Sequence, residues 1–142
     1  MDTSTHVHRY NWLDLAVFMG DHGIRYVRKD IDKVKNYIER MVEAGRVMTM
    51  TDEEGLHTVL FFSVCDDPEK YLKKDTWDYT DHEPNGACFY VEKIVTKKWS
   101  VSLRKKVEAL ATQLYPAFSL GKWHRWGRIG DRGVTVRRRN YV

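Results

Sequence analysis

No apolar run in this chain of 142 residues approaches the roughly 20 consecutive residues that cross a membrane as a helix. The polar, histidine-containing N-terminus also lacks the pattern of a secretory leader. Cysteine is scarce. Cys65 and Cys88 are the two in the chain, and neither stands in a paired motif. That argues against a disulfide framework and predicts a cytoplasmic protein of a reducing compartment with both thiols free. Neither cysteine has the neighbouring histidine or glycine-rich turn that marks an activated thiol, and Cys88 reads as a small core residue. Internal repeats, low-complexity tracts and domain linkers are absent too. The expectation is one domain over residues 1–142, with the polar residues 1–9 frayed.

Against these absences stands enough apolar material for a core: 42% hydrophobic residues and 13% aromatics predict a globular chain. The net charge is +4 and the pI about 9.0, which allows binding to phosphate or an acidic partner. The charge is unevenly placed. Asp66, Asp67, Glu69, Asp75, Asp78, Asp81 and Glu83 fall in the middle third, whereas Arg125, Arg128, Arg132, Arg137, Arg138 and Arg139 fall at the end.

Periodicity and punctuation place the elements. A first helix begins at Asn11, a good N-cap, with Trp12, Leu13, Leu15, Ala16 and Met19 as its apolar surface, and Gly20 and Gly23 break it. The stretch Gly23 to Lys29 reads as extended or loop. Asp30 caps a second helix over Ile31 to Ala44, where Ile31, Val34, Ile38, Met41 and Val42 recur at three- and four-residue steps, and Gly45 stops it. Arg46–Thr51 and Leu56–Val64 flank the turn Asp52-Glu53-Glu54-Gly55 as a hairpin, with the Met48 and Met50 face toward the core and the second strand central. A short helix is expected from Pro68 to Lys74. Residues 75 to 86 lack periodicity, and a loop of that length in a compact domain is often functional. Ala87 to Thr96 is rich in β-branched and aromatic residues on both alternating faces, which suits an interior strand. A third helix runs from about Val101 to Tyr115, with Leu103, Val107, Leu110, Ala111, Leu114 and Phe118 on one stripe. Arg104, Lys105 and Lys106 sit in its first turns, against the helix dipole, and favour an anion nearby.

The closing segment pairs Lys122–Trp126 with Gly133–Arg139 around Gly127, Gly130 and Gly133, read as a flexible or tightly turned hairpin loop. In it Lys122, Trp123, Arg125, Trp126, Arg128, Arg137, Arg138 and Arg139 interleave cations with tryptophan. That composition fits nucleic-acid contact, cations taking phosphates and ring faces stacking on bases, or contact with an acidic protein. Metal readings are weak: His6 and His8 lie two apart at a terminus, and Asp75, Asp78, Asp81, His82 and Glu83 match no standard ligand spacing.

The order helix, helix, β-hairpin, strand, helix, strand pair resembles the GNAT superfamily of N-acyltransferases in a short form, across about residues 12 to 138. Three stretches carry the resemblance: Asp30…Val34…Ile38-Glu39-Arg40-Met41-Val42…Gly45 with the hairpin after it, the Ala87–Thr96 strand entering the Val101 helix, and the closing strand pair. The chain is also similar to small acyltransferase-like proteins encoded by bacteriophages. The resemblance implies an α/β (α+β) domain with a single mixed, mostly antiparallel sheet flanked by helices. It implies transfer of an acyl group from an acyl-CoA donor to an amine. In the family, a loop Arg/Gln-x-x-Gly-x-Gly/Ala before this helix wraps the donor pyrophosphate with backbone amides. Here Thr96-Lys97-Lys98-Trp99-Ser100-Val101-Ser102 stands in its place without glycine, so Lys97, Lys98, Ser100, Ser102 and Arg104 are the residues implied for the donor. Glu92, a carboxylate on an apolar strand, is implied as the base that takes the amine proton, and Tyr115 as the acid that protonates the leaving thiolate. His57 and His124 are further titratable groups.

Two alternatives stand beside this reading. One is a non-enzymatic module of the same fold that binds nucleic acid or an acidic protein through the basic C-terminal hairpin. The other is an N-terminal winged helix over residues 11 to 64, with the second helix in the recognition position and the hairpin as wing.

Overall fold

The computed structural model describes residues 2–4, 10–23, 27, 29–66, 70, 77–86, 88–114, 126–129 and 134–138, the first and the last two of these stretches as backbone only. The fold is α+β. Three helices, α1 (Trp12–His22), α2 (Ile31–Glu43) and α3 (Val101–Leu114), accompany strands β1 (Asp2–Ser4), β2 (Val47–Asp52), β3 (Gly55–Cys65), β4 (Cys88–Thr96), β5 (Trp126–Ile129) and β6 (Val134–Arg138). The strands hydrogen-bond in the order β1-β2-β3-β4-β6-β5. The pairs β1·β2, β2·β3, β4·β6 and β5·β6 are antiparallel. At one end of the β3·β4 pair the Lys97 amide donates to the His57 carbonyl (2.9 Å), and at the other the Cys88 thiol lies 3.7 Å from the Asp66 carbonyl. That pair is antiparallel as well, which agrees with the expected mostly antiparallel sheet.

The chain divides into two compact units. The first comprises Met1–Phe61, Asp75–Tyr79 and Lys93–Lys98, and the second Phe62–Lys74, Thr80–Glu92 and Trp99–Val142. Strands β3 and β4 contribute to both.

In the first unit α1 starts where Asn11 satisfies an orphan amide: its side chain accepts from the Asp14 amide (2.9 Å) and Asp14 accepts from the Asn11 amide (3.1 Å). Leu15, Ala16, Phe18 and Met19 are the buried side of α1, and Leu13 is exposed, contrary to its assignment to the apolar surface. On α2 the buried stripe is Val34, Tyr37, Ile38 and Met41; Ile31 falls outside it, and Tyr37 belongs to it because a long ring reaches inward from a stripe position. Asp30 holds the N-cap position of α2 without a side-chain cap bond, while Gly45 ends the helix at φ 70°, a left-handed geometry that glycine adopts without steric cost.

The hairpin closes through Asp52 opposite Gly55, the latter at φ 116°. The face of β2 that meets α1 and α2 is that of Val47, whose cluster includes Val59, Phe61, Leu15, Tyr37 and Ile38. The expected Met48 and Met50 core face is the opposite one. It is buried too, so β2 is covered on both sides rather than one. Strand β3 lies inside the sheet between β2 and β4 and is buried from Thr58 to Cys65, as its apolar run predicts. An interior strand cannot be an exposed wing, which overturns the winged-helix alternative. Residues 2–4, expected to fray, form β1 against Thr49–Thr51. The short helix expected at Pro68 to Lys74 lies outside the described residues apart from Lys70, as do His6, His8 and the segment 24–26.

The hairpin turn carries its own electrostatics. Asp52 Oδ1 accepts from the Glu54 amide (2.8 Å), and Lys97 Nζ lies 3.6 Å from Asp52 and 3.4 Å from Glu54. The Asp52 carboxyl is held below the ordinary aspartate value, first by the Glu54 amide bond and more weakly by the Lys97 charge. A depressed carboxyl pKa contributes stability that is complete above the unfolded value and lost as pH falls through the folded one. Lys97→Met is therefore expected to raise the Asp52 pKa and still leave it below the unfolded value, because the amide bond remains. Carboxyl-detected NMR titration of both proteins checks this, and an unmoved Asp52 would remove Lys97 from the account.

Candidate functional site

Strand β4 brings a carboxylate into the second unit. Cys88, Phe89, Tyr90, Val91 and Glu92 are all buried, so both faces of the strand are covered over this half. Glu92 is 7% exposed, and Thr80 Oγ1 donates to Glu92 Oε1 at 2.5 Å. Among the described residues Glu92 is the one buried carboxylate. A charge taken out of water is retained only where hydrogen bonds or opposite charge stabilise it, and the buried Thr80 hydroxyl is one such donor.

Thr80 is placed by the segment that follows it. The Glu83 amide donates to the Val64 carbonyl (2.7 Å), the Val64 amide donates to His82 Nδ1 (3.1 Å), and Lys70 pairs with Glu83. The Glu83 hydrogen bond raises the Lys70 ammonium above the ordinary lysine value. Gly86 lies directly against the backbone of Cys65. These contacts seat the unperiodic segment on the end of β3, so the loop singled out by its length supplies the partner of Glu92. Nothing in the sequence marks Thr80 among the polar residues around it. Ser63 is a further buried hydroxyl in this unit, and its Oγ has no hydrogen-bond partner among the described residues.

Helix α3 follows β4 closely. Ser100 Oγ accepts from the Leu103 amide (3.0 Å), and the Ser100 carbonyl accepts from the Arg104 amide (3.2 Å), so Ser100 is the N-cap. Its hydroxyl oxygen serves a helix amide. Ser102 and Arg104 are exposed on the first turns, with Arg104 Nε 4.0 Å from Glu108, and Trp99 and Val101 are exposed beside them at 51% and 67%. The buried side of α3 is Leu103, Val107 and Ala111; Leu114, expected on that stripe, is exposed.

Lys97 and Lys98 belong to the first unit, where Lys97 is held at the hairpin turn and Lys98 is exposed next to Thr96. His57 also serves structure there: its Nδ1 lies 2.8 Å from Thr58 Oγ1, which meets Thr96 Oγ1 at 2.9 Å. The same unit holds cations on ring faces that the sequence did not single out. Arg46, fully buried, and Arg40 lie over the Tyr79 ring (5.0 and 3.9 Å), and Lys93 lies over Tyr37 (4.1 Å) and Trp77 (5.3 Å). They stitch residues 77–79 to α2, to the residue that precedes β2 and to β4.

Of the C-terminal residues, Trp126 and Arg128 lie on β5, and Arg137 and Arg138 on β6. Strand β5 takes Gly127 into the strand rather than the turn. Tyr115, Lys122, Trp123, His124, Arg125 and Arg139 lie outside the described residues. Cys65 and Cys88 are both free and buried. Among the described residues no three His, Cys, Asp or Glu side chains are grouped to hold a metal, and no helix is long and apolar enough to cross a membrane.

Compared with protein-family models, with curated proteins and with solved structures, the chain matches none of them.

Proposed function

We propose that this protein is a GNAT-like N-acyltransferase that moves an acyl group from an acyl-CoA-type donor to an amine. The buried Glu92, hydrogen-bonded by Thr80 on the strand that enters α3, is the observation that carries this reading. The element order of two helices, hairpin, strand, helix and strand pair supports it. In the reaction the amine nitrogen attacks the thioester carbonyl, Glu92 accepts the proton the amine loses, and the carbon–sulfur bond breaks to release a thiolate that takes up a proton. Tyr115 is the proposed donor of that proton. A buried carboxylate is suited to base work because a dry site strengthens its interaction with the developing ammonium. Among the donor-binding residues, Ser100 acts through the cap it forms, and Ser102 and Arg104 are the exposed groups on α3 that meet phosphate oxygens.

Calorimetric titration with acetyl-CoA and with CoA tests the donor. Micromolar binding that weakens in Arg104→Ala supports the reading, and no heat at millimolar ligand ends it. Given binding, Glu92→Gln is expected to leave donor affinity within about twofold and lower acyl transfer by about 100-fold or more, the usual contribution of a positioned general base. Transfer at the unaltered rate in Glu92→Gln would remove Glu92 from the chemistry.

A further inference from the structure

The register of the last two strands sorts their residues by side of the sheet. Trp126 pairs with Arg137, Gly127 with Val136, Arg128 with Thr135 and Ile129 with Val134. Directly paired residues share a side of an antiparallel sheet, and the side alternates along each strand. Trp126, Arg128, Thr135 and Arg137 therefore occupy positions on one side, and Gly127, Ile129, Val134 and Val136 on the other. The tryptophan and two of the arginine positions are together, and so are the aliphatic ones, with Arg138 following Val136 on the aliphatic side. Among the described residues strand β5 is also the last strand of the sheet, with β6 between it and β4.

We propose that the β5–β6 strand pair is a docking surface for single-stranded nucleic acid, with Arg128 and Arg137 taking backbone phosphates and Trp126 stacking on a base. The charge is complementary: two arginine positions flank one tryptophan position on the same side, in a chain of net charge +4. Base stacking is what selects a single strand over a duplex, because a duplex hides its base faces. An acidic protein or an anionic membrane would use the cations and have no specific need of the ring. This activity is independent of acyl transfer and does not involve Glu92.

The test is fluorescence anisotropy of a labelled 20-nucleotide oligothymidylate against the full chain, with a mixed-sequence duplex of equal length, poly-glutamate and phosphatidylserine vesicles as the other probes. The single strand is expected to bind in preference to the duplex. Its affinity should fall with salt at a slope of about −0.7 per phosphate neutralised. Arg128→Gln/Arg137→Gln should flatten that slope by about 1.4 and weaken binding at low salt by about tenfold or more. Trp126→Ala should weaken binding by about fivefold or more with the slope unchanged, because stacking releases no counterions. Circular dichroism and melting of each variant confirm the fold, and Trp126→Phe, which keeps a stacking ring, should restore most of the affinity. Absence of single-strand binding at 50 mM salt overturns the proposal. So does equal binding to duplex, poly-glutamate or vesicles, or single-strand binding indifferent to Trp126→Ala in a folded protein.

Discussion

Gly86→Ala is expected to cost about 3 kcal/mol of stability, the upper part of the range for forcing an extra carbon into a packed interior. A Cβ at this position would lie 2.5 Å from the carbonyl carbon, 2.7 Å from the Cα and 2.8 Å from the amide nitrogen of Cys65. All three are backbone atoms of an interior strand, so no side chain can rotate away, and either β3 or the segment ending at Gly86 must move. The segment is the cheaper to displace, because β3 is bonded along its length. Displacement would pull on the Glu83 amide bond to Val64 and on the His82 contact, and through them on Thr80. Melting followed by calorimetry should show a fall of roughly 6–12 °C for a chain of this size. Amide exchange should accelerate at Glu83 and Val64 before it does so in α2. A variant that melts with the parent and keeps those amides protected would mean that the close approach is not required.

Phe61→Ala carries an equal or larger penalty, about 3–5 kcal/mol, through a different cause. Phe61 is fully buried in the cluster of the first unit, opposite Val47 in register, with its ring centroid 5.3 Å from that of Tyr37. Alanine there loses the transfer energy of the ring and leaves a cavity that two helices and an interior strand cannot close by small shifts. Phe61→Leu fills most of the volume and should cost less than half as much. Denaturant unfolding of both variants, with the dependence on denaturant unchanged, is the check. Equal losses in the two would place the cause elsewhere than in packing volume.

Much of the first unit was legible in the residues themselves. The Asn11 cap, the stop at Gly45 and the Asp52–Gly55 turn depend on contacts within a few positions, and each chemistry has few geometric solutions. The apolar runs of β3 and β4 announced interior strands because only a strand covered on both faces tolerates apolar residues at successive positions. Period alone is blind to which side of a strand faces which neighbour: Met48 and Met50 are buried as expected, yet α1 and α2 pack on the Val47 face. The same blindness assigned Leu13 and Leu114 to buried stripes that stop short of them.

The candidate site was half legible. Glu92 stood out because a carboxylate is anomalous on an apolar strand, and composition shows anomalies. Thr80, twelve positions away, did not stand out, since its role exists only where the chain folds residues 80–86 back onto the end of β3. Lys97 and Ser100 looked alike as polar residues before a helix. Only the folded chain set one at the hairpin turn through Asp52 and Glu54 and the other over the Leu103 amide. By itself, then, the sequence determined the helices, the turns and the identity of the interior strands, because those follow from bonding between near neighbours and from the burial of apolar runs. Tertiary structure decided the order β4-β6-β5, the facing of β2, the partner of Glu92 and the sorting of Trp126, Arg128 and Arg137 to one side. Each of these depends on which distant backbone groups pair, and no local preference encodes that.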